Sequence, residues 1–459
     1  MSDPTTAQGV RFEHLAKLPV HVRFDQPAAS SDGGALLLKA ADERLGLTRR
    51  LAACLRDDRD PSRVVHSTED LLRQRVFGIA CGYADANDAG RLIDDPIQRL
   101  LLGRDPLEGA PIASQPTLSR FENRFEARSL LAMGEALAEH VIERHQRRLG
   151  GRARRITIDL DPTDDQTHGA QQLSAFNAHY DGYCYLPVAG FLSFDDEPEQ
   201  YLFGFVLRPG DVGAAYGAQP ILERLVGKLR TAFGRRTTLR VRLDGGFATP
   251  DLFDFLDDTG LEYAIGMPTN GTLRAQAEAL MRDVRERSEA SGQSEQMYAD
   301  VSYSAARWDT TRRAVIKAEV VLHPERPARD NARFLVTNID RTARFVYERI
   351  YCARAHVENR IKELLHGLAI DRSSCSRFLA NQFRGLLTAT AYVLYQELRL
   401  AASGTSLEGA QVTSLRERLI KLGTSVERST RRIELHLPDS APWRGDWIRI
   451  ARVLGAAPG

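Results

Sequence analysis

Up to about residue 150, apolar positions recur at three- and four-residue intervals, the spacing of helices with one buried face. STEDLLRQRVFGIACGYADANDAGRLI opens on Ser67 with Glu69 and Asp70 close behind, a helix-capping start, and keeps helical spacing afterwards. SQPTLSRFENRFEARSLLAMGEALAEHVIERHQRRL predicts a short helix and then a long amphipathic one. GGRARR (150–155) marks a boundary, and from Ile156 the period changes to two.

The alternating segments are ITIDLD, CYLPVAGFLSF (184–194) and QYLFGFVLR (200–208). A helix is expected in AAYGAQPILERLVGKLRTAF, a strand in TLRVRLD (238–244), a helix in TPDLFDFLDDTG and a strand in LEYAIGM (261–267). Three consecutive strands can form a meander, whereas the later two follow helical crossovers and therefore pair in parallel. This is the order of a ribonuclease-H-like mixed sheet, in which the fourth strand lies beside the first. The end of TLRVRLD is thus expected next to ITIDLD.

Residues 270–345 interrupt the pattern. A charged helix (TLRAQAEALMRDVRERSEA) and a polar linker (SGQSEQ) precede three strand-like pieces: DVSYSAARW, RRAVIKAEVVLH and ARFLVTNID. Helical spacing resumes in ERIYCARAHVENRIKELLHGL and NQFRGLLTATAYVLYQELRLA, and the tail beyond Ser403 predicts a small helical region with one strand, RRIELHL. The expected organisation is a helical region over 1–150, an α/β domain over 151–402 with a β-rich insertion at about 270–345, and a small helical region over 403–459.

Composition narrows the class. The most apolar long stretch, GLLTATAYVLYQELRLA, carries Gln396, Glu397 and Arg399, which suits a buried helix better than a membrane span. MSDPTTAQGVRFEHL lacks the apolar core of a secretory signal. Five cysteines, Cys54, Cys81, Cys184, Cys352 and Cys375, are scattered and never spaced as CxxC, which argues against zinc fingers and disulfide scaffolds and for a reducing compartment. Net charge is only +1, but from Arg341 onward there are 19 Lys/Arg against 11 Asp/Glu. A basic C-terminal part suits a polyanion as well as it suits a solvated helical surface. TLSRFENR in the N-terminal region likewise reads either as the second helix of a DNA-reading helix-turn-helix or as a short helix covering a core.

The carboxylates carry the chemistry. In TIDLDPTDD, Ile156, Ile158 and Leu160 share one strand face, and Thr157, Asp159 and Asp161 share the other. Aspartate is a poor strand residue, so two on one face require a cause: a solvated turn, or a divalent cation that offsets their repulsion. Asp244 ends the fourth strand in RLDGGF, where Gly245 and Gly246 permit a tight turn beside a ligand. Glu358 lies on the late helix with Arg354 and Lys362 at i−4 and i+4 and Tyr351 two turns earlier on the same face. Each feature alone has an ordinary reading as a turn residue or a surface ion pair; on this strand order the three converge. His168 and His179 have no Cys or His at metal-ligating spacing and read as structural. Trp308 in the insertion reads as a core residue or as a stacking wedge for an unpaired base.

Taken together, DLDPTDDQTHGAQ, YDGYCYLPVAGF, RLDGGF, VTN and YCARAHVENRIKE running into ANQFRGLLTATAYVL resemble the DDE-type transposases of bacterial insertion sequences, most closely insertion-sequence family 1380. Tyr351, Arg354 and Glu358 match that group's Tyr-x2-Arg-x3-Glu helix. The resemblance implies a ribonuclease-H-like catalytic domain that cuts the element's terminal inverted repeats and joins them to target DNA. It implies Asp161, Asp244 and Glu358 as catalytic, metal-binding residues, with Asp161 preferred over Asp159 by the D-x-T arrangement. Arg354, Lys362 and Tyr351 would bind DNA. Two Mg²⁺ ions (Mn²⁺ substituting), a homodimer in the synaptic complex, double-stranded DNA partners, no membrane and a bacterial cytoplasmic, nucleoid-associated location follow from the same likeness. Chemistry agrees: two metal ions roughly 3.5–4 Å apart neutralise a phosphodiester, activate water and stabilise the leaving oxygen, and carboxylates are their preferred ligands. Asp161 would bridge the ions while Asp244 and Glu358 each complete one site.

The signature normally continues with lysine seven residues after the glutamate, where this chain has Leu365. Either Lys362 substitutes one turn earlier, or this copy is impaired in holding the terminal phosphate. The alternatives are therefore a catalytically impaired, transposase-derived DNA-binding protein or a metal-dependent nuclease. A glycosyltransferase with a D-x-D strand end would give no role to Asp244, Glu358 or the Arg-rich tail.

Overall fold

A computed structural model describes residues 9–305, 308–323 and 325–458. Its centre is a mixed eight-stranded sheet in an α/β architecture. In chain order the strands are β1 (Arg155–Pro162), β2 (Val188–Phe194), β3 (Tyr201–Val206), β4 (Thr238–Leu243), β5 (Glu262–Met267), β6 (Glu295–Tyr303), β7 (Arg312–His323) and β8 (Arg326–Thr337). Across the sheet they run β6-β7-β8-β5-β4-β1-β2-β3. β1, β2 and β3 form the expected antiparallel meander, and β4 pairs in parallel with both β1 and β5. The insertion is not a separate body: β8 pairs antiparallel with β5, so β6, β7 and β8 extend the same sheet.

The helices that matter here are α1 (Thr68–Ala80), α2 (Gln115–Glu122), α3 (Ala127–Arg148), α4 (Ala218–Phe233), α5 (Pro250–Asp258), α6 (Gly271–Ser291), α7 (Ala355–Lys362) and α8 (Phe378–Ala401). Ser67 caps α1 by accepting from the Asp70 backbone N–H. α2 buries Leu118 and Phe121, whose ring meets Phe125 and Phe383, so this short helix covers core. α8 is buried along most of its length, and the polar residues that disqualified it as a membrane span are fasteners. Gln396 accepts from the Leu202 N–H and donates to the Gln200 carbonyl, while Gln382 does the same for Leu207 and Phe205. These amides occupy the free edge of β3, which would otherwise invite pairing with another chain. Glu397 takes both ends of the Arg144 guanidinium, tying α8 to α3. Among the described residues, no helix is long and apolar enough to cross a membrane.

Three sequence expectations need correction. The stretch 184–194 is not one strand: Gly182–Tyr185 is the middle strand of a small sheet with Asp165–Gln166 and Ala175–Asn177, and β2 starts only at Val188. Pro187, with no N–H to donate, separates them, and its carbonyl instead accepts from the Thr163 N–H. The start of the chain is not helical either, since Gly9–Phe12 and Val20–Arg23 form an antiparallel ribbon. The C-terminal region has two strands, Thr424–Arg428 and Ile433–His436, which pair with each other and with Ala29–Ser30, closing the chain's end onto its beginning. All five cysteines are free.

Candidate active site

β1 is buried on both faces. Ile156, Ile158 and Leu160 belong to the main apolar core, and Thr157, Asp159 and Asp161 are buried as well. The two aspartates differ in what neutralises them. Arg242 lies directly opposite Asp159 on the parallel neighbour β4 and donates Nε and Nη2 to its two oxygens at 2.9 and 2.7 Å. The remaining Nη1 donates to the Ile350 carbonyl at 3.2 Å, so this pair fastens β1, β4 and the late helix together. The parallel pairing runs to Arg242 and Asp159, and Asp161 and Asp244 each lie two residues beyond that pair, at or just past the end of their strands.

Asp244 closes the turn after β4 by accepting from the Gly246 N–H at 2.8 Å. Asp161 accepts from Arg354 Nη1 at 2.8 Å, and Arg354 Nη2 lies 3.9 Å from Glu358 Oε1. Burial, then the charges of Asp244 and Glu358, push the Asp161 carboxyl up to about 6 against the pull of Arg354. Asp161 is thus held by the same arginine that approaches Glu358, while Asp244 sits in the turn after the neighbouring strand. The helical run carrying Arg354 and Glu358 has a wider π turn at Val346–Tyr351 and a tight 3₁₀ turn at Cys352–Arg354 before α7. Such departures from α geometry re-aim side chains and concentrate at functional sites.

Tyr351 packs against β5. A Cβ added at Gly266 would lie 2.4 Å from the Tyr351 hydroxyl and 3.1 Å from the Gly245 nitrogen, so only glycine leaves room for the ring beside the Asp244 turn. Burial raises the Tyr351 phenol, helped by Asp244. Lys362 is exposed and has no ion pair among the described residues, so the predicted pairing of Glu358 with cations on both sides reduces to Arg354. Leu365 lines a cavity of about 710 Å³ beside Asp164, Gln166, His168 and Asp371.

Other features fall outside the set. His168 and His179 are exposed rather than built into the core. Trp308 packs between Phe253 and Tyr303 with Arg312 over its ring, an environment of core contacts. Sequence reasoning missed Arg242 and Tyr180. Opposite charges at matching positions of two neighbouring strands, Asp159 in IDLD and Arg242 in RLD, were the available signal for the first. The Tyr180 phenol is raised by burial and by the charges of Asp164, Asp161 and Asp244; its position on a loop left no periodic signal.

The donors suit a hard divalent cation in kind: three carboxylates, one of them buried and repelled by the other two. Their spacing is not that of a closed metal centre. Among the described residues no three His, Cys, Asp or Glu side chains are grouped tightly enough to hold an ion, and a guanidinium sits on the most buried acid.

Comparison with known proteins gives a family match over nearly the whole chain. The family model described as transposase DDE domain group 1 matches residues 12–457. Among solved structures the chain is similar to the piggyBac transposase of a synaptic complex with hairpin DNA, at 13% identity over 84% of this chain and 79% of that chain, with a TM-score of 0.41. No curated protein matches the chain.

Proposed function

Because this chain belongs to the transposase DDE domain group 1 family, we propose that it is an active DNA transposase of the insertion-sequence type, most like family 1380. It would bind the terminal inverted repeats of its element, cleave them by metal-dependent hydrolysis and join them to target DNA by transesterification. The observation that carries this reading is the position of Asp161 and Asp244 at or just past the ends of adjacent parallel strands, with Arg354 drawing the Glu358 helix onto them. The meander followed by crossover strands beside β1 supports a ribonuclease-H-like core over residues 151–402, extended by β6, β7 and β8.

In this reading Asp161, Asp244 and Glu358 hold Mg²⁺. When bound, the metal neutralises the phosphate, lowers the pKa of the attacking water and stabilises the leaving oxygen. Arg354 and Lys362 hold the DNA backbone beside the scissile phosphate, and Tyr351 positions the DNA end. A 3′-hydroxyl then replaces water as nucleophile on a target phosphodiester: a new P–O bond forms to the element's end as the target's own P–O bond breaks. Joining two ends requires both in one assembly, which suits a homodimer; the N-terminal helices over 1–150 are candidates for end binding and dimer contacts. Leu365 and the open spacing of the acids favour a second reading, an impaired derivative that only binds DNA.

The test uses duplexes carrying the paired inverted repeats that flank the reading frame. Mg²⁺-dependent nicks at the repeat boundary leaving 3′-hydroxyls, followed by joining to plasmid DNA, are expected. Binding without nicking would favour the second reading, and neither binding nor nicking would refute both.

A further inference from the structure

The acid predicted to hold metal is already in contact with a cation of the chain itself. Arg354 donates to Asp161 at 2.8 Å and approaches Glu358 at 3.9 Å, so one guanidinium spans two of the three acids. Both partners are largely enclosed, with side-chain exposures of 16% for Arg354 and 12% for Asp161. Asp159 cannot compete for this arginine, because Arg242 takes both of its oxygens. Among the described residues, Asp161 is the one acid Arg354 meets at hydrogen-bond distance, and the 3₁₀ turn at Cys352–Arg354 sits between segments of different helical pitch.

Arg354 takes one Asp161 oxygen, and a guanidinium this close repels a second cation from the same carboxylate, so metal binding is favoured when Arg354 moves off Asp161. The guanidinium's planar fork suits a phosphate as well as a carboxylate, and a DNA backbone offers one. We infer that Arg354 is a placeholder cation, which keeps Asp161 from metal until a DNA phosphate draws the arginine away. Resting on the proposed metal role of Asp161, this makes metal and DNA binding mutually reinforcing. By linkage the factor is the same in both directions. It would keep a metal-charged nuclease site from forming away from its DNA.

Mn²⁺ binding to the full chain, followed by electron paramagnetic resonance, tests the switch without relying on activity. Three proteins are needed: wild type, Arg354→Gln and Asp161→Asn, each checked for a cooperative melting transition well above the assay temperature. Without DNA, Arg354→Gln should bind Mn²⁺ about tenfold or more tighter than wild type. Adding a saturating inverted-repeat duplex should tighten wild-type binding by a similar factor and the variant's far less, with the Asp161→Asn complex as the blank for ions on DNA. Equal or weaker Mn²⁺ affinity in Arg354→Gln overturns the placeholder role. If that variant fails to fold, the wild-type arm decides alone, since an affinity unmoved by duplex also overturns it. Full Mn²⁺ binding by Asp161→Asn would instead refute the metal-site reading beneath it.

Discussion

Asp159 and Asp161 leave the same face of β1 one pleat repeat apart, and each meets an arginine, yet the two pairs do different work. Arg242 approaches Asp159 with a two-pronged fork from the next strand, and its third donor is fixed on the Ile350 carbonyl. Both oxygens are engaged by an enclosed arginine, so a ligand at this carboxylate would have to compete with Arg242. Arg354 gives Asp161 a single hydrogen bond from a helix, while Asp244 and Glu358 stand close enough to raise its proton affinity. Sequence spacing cannot separate the two aspartates; the geometry of the partner does. A bidentate, enclosed pair holds strands together, and a one-pronged pair among like charges is open to exchange.

The largest expected difference is in stability. Arg242→Ala leaves Asp159 buried and unpaired, and should cost about 3–5 kcal/mol in urea unfolding. Arg354→Ala should cost only about 1–2 kcal/mol, because Asp161 lies at the strand end and can take up a proton instead. Equal costs would erase the distinction between the pairs.

A pH titration sharpens the comparison. Burial and its acidic neighbours push the Asp161 carboxyl up to about 6, so the stability it contributes is fully present below the ordinary carboxylate value and is lost as pH rises through about 6. Between pH 4 and pH 7, wild type should therefore lose roughly 1–3 kcal/mol more stability than Asp161→Asn. Parallel curves for the two proteins would contradict the crowding of charge around Asp161.

Tyr351 offers a neighbouring probe. Gly266→Ala drives a methyl group against the tyrosine hydroxyl and should lower stability by about 1–2 kcal/mol. Adding Tyr351→Phe should recover much of that loss, giving a coupling of roughly 0.5–1.5 kcal/mol in thermal unfolding. No coupling would mean the ring does not rest on Gly266.

The smallest effect concerns Lys362. Exposed and without an acidic partner among the described residues, it is free to meet DNA. Lys362→Ala should reduce the slope of log affinity against log salt for end DNA by about 0.9, the loss of one phosphate contact. An unchanged slope would leave the lysine missing at Leu365 without a substitute.

Much of the sheet was legible in the sequence because its strands are bounded by helical crossovers, and right-handed crossovers leave few orders open. The places of three acids in the fold were legible for the same reason: Asp161 and Asp244 come at the ends of strands whose order is constrained, and Glu358 lies on a helix with a recognisable spacing. What stayed hidden depends on partners distant in the chain. Arg242 answers Asp159 from 83 residues away, and Gln382 and Gln396 cover an edge strand that periodicity alone shows only as a strand. The division of 184–194 followed from Pro187, a local signal outweighed by the apolar run around it. The N-terminal ribbon was obscured by the helices that follow, although VRF and VHVR both alternate.

The most direct measurement is Mg²⁺-dependent cleavage of an inverted-repeat duplex by folded Asp161→Asn and Asp159→Asn proteins beside wild type. The expected result is a loss of at least about 100-fold for Asp161→Asn, with end binding kept, and a folded Asp159→Asn protein that still cuts within about tenfold of wild type. Cleavage that survives in Asp161→Asn and vanishes in Asp159→Asn would contradict the assignment of the catalytic acid.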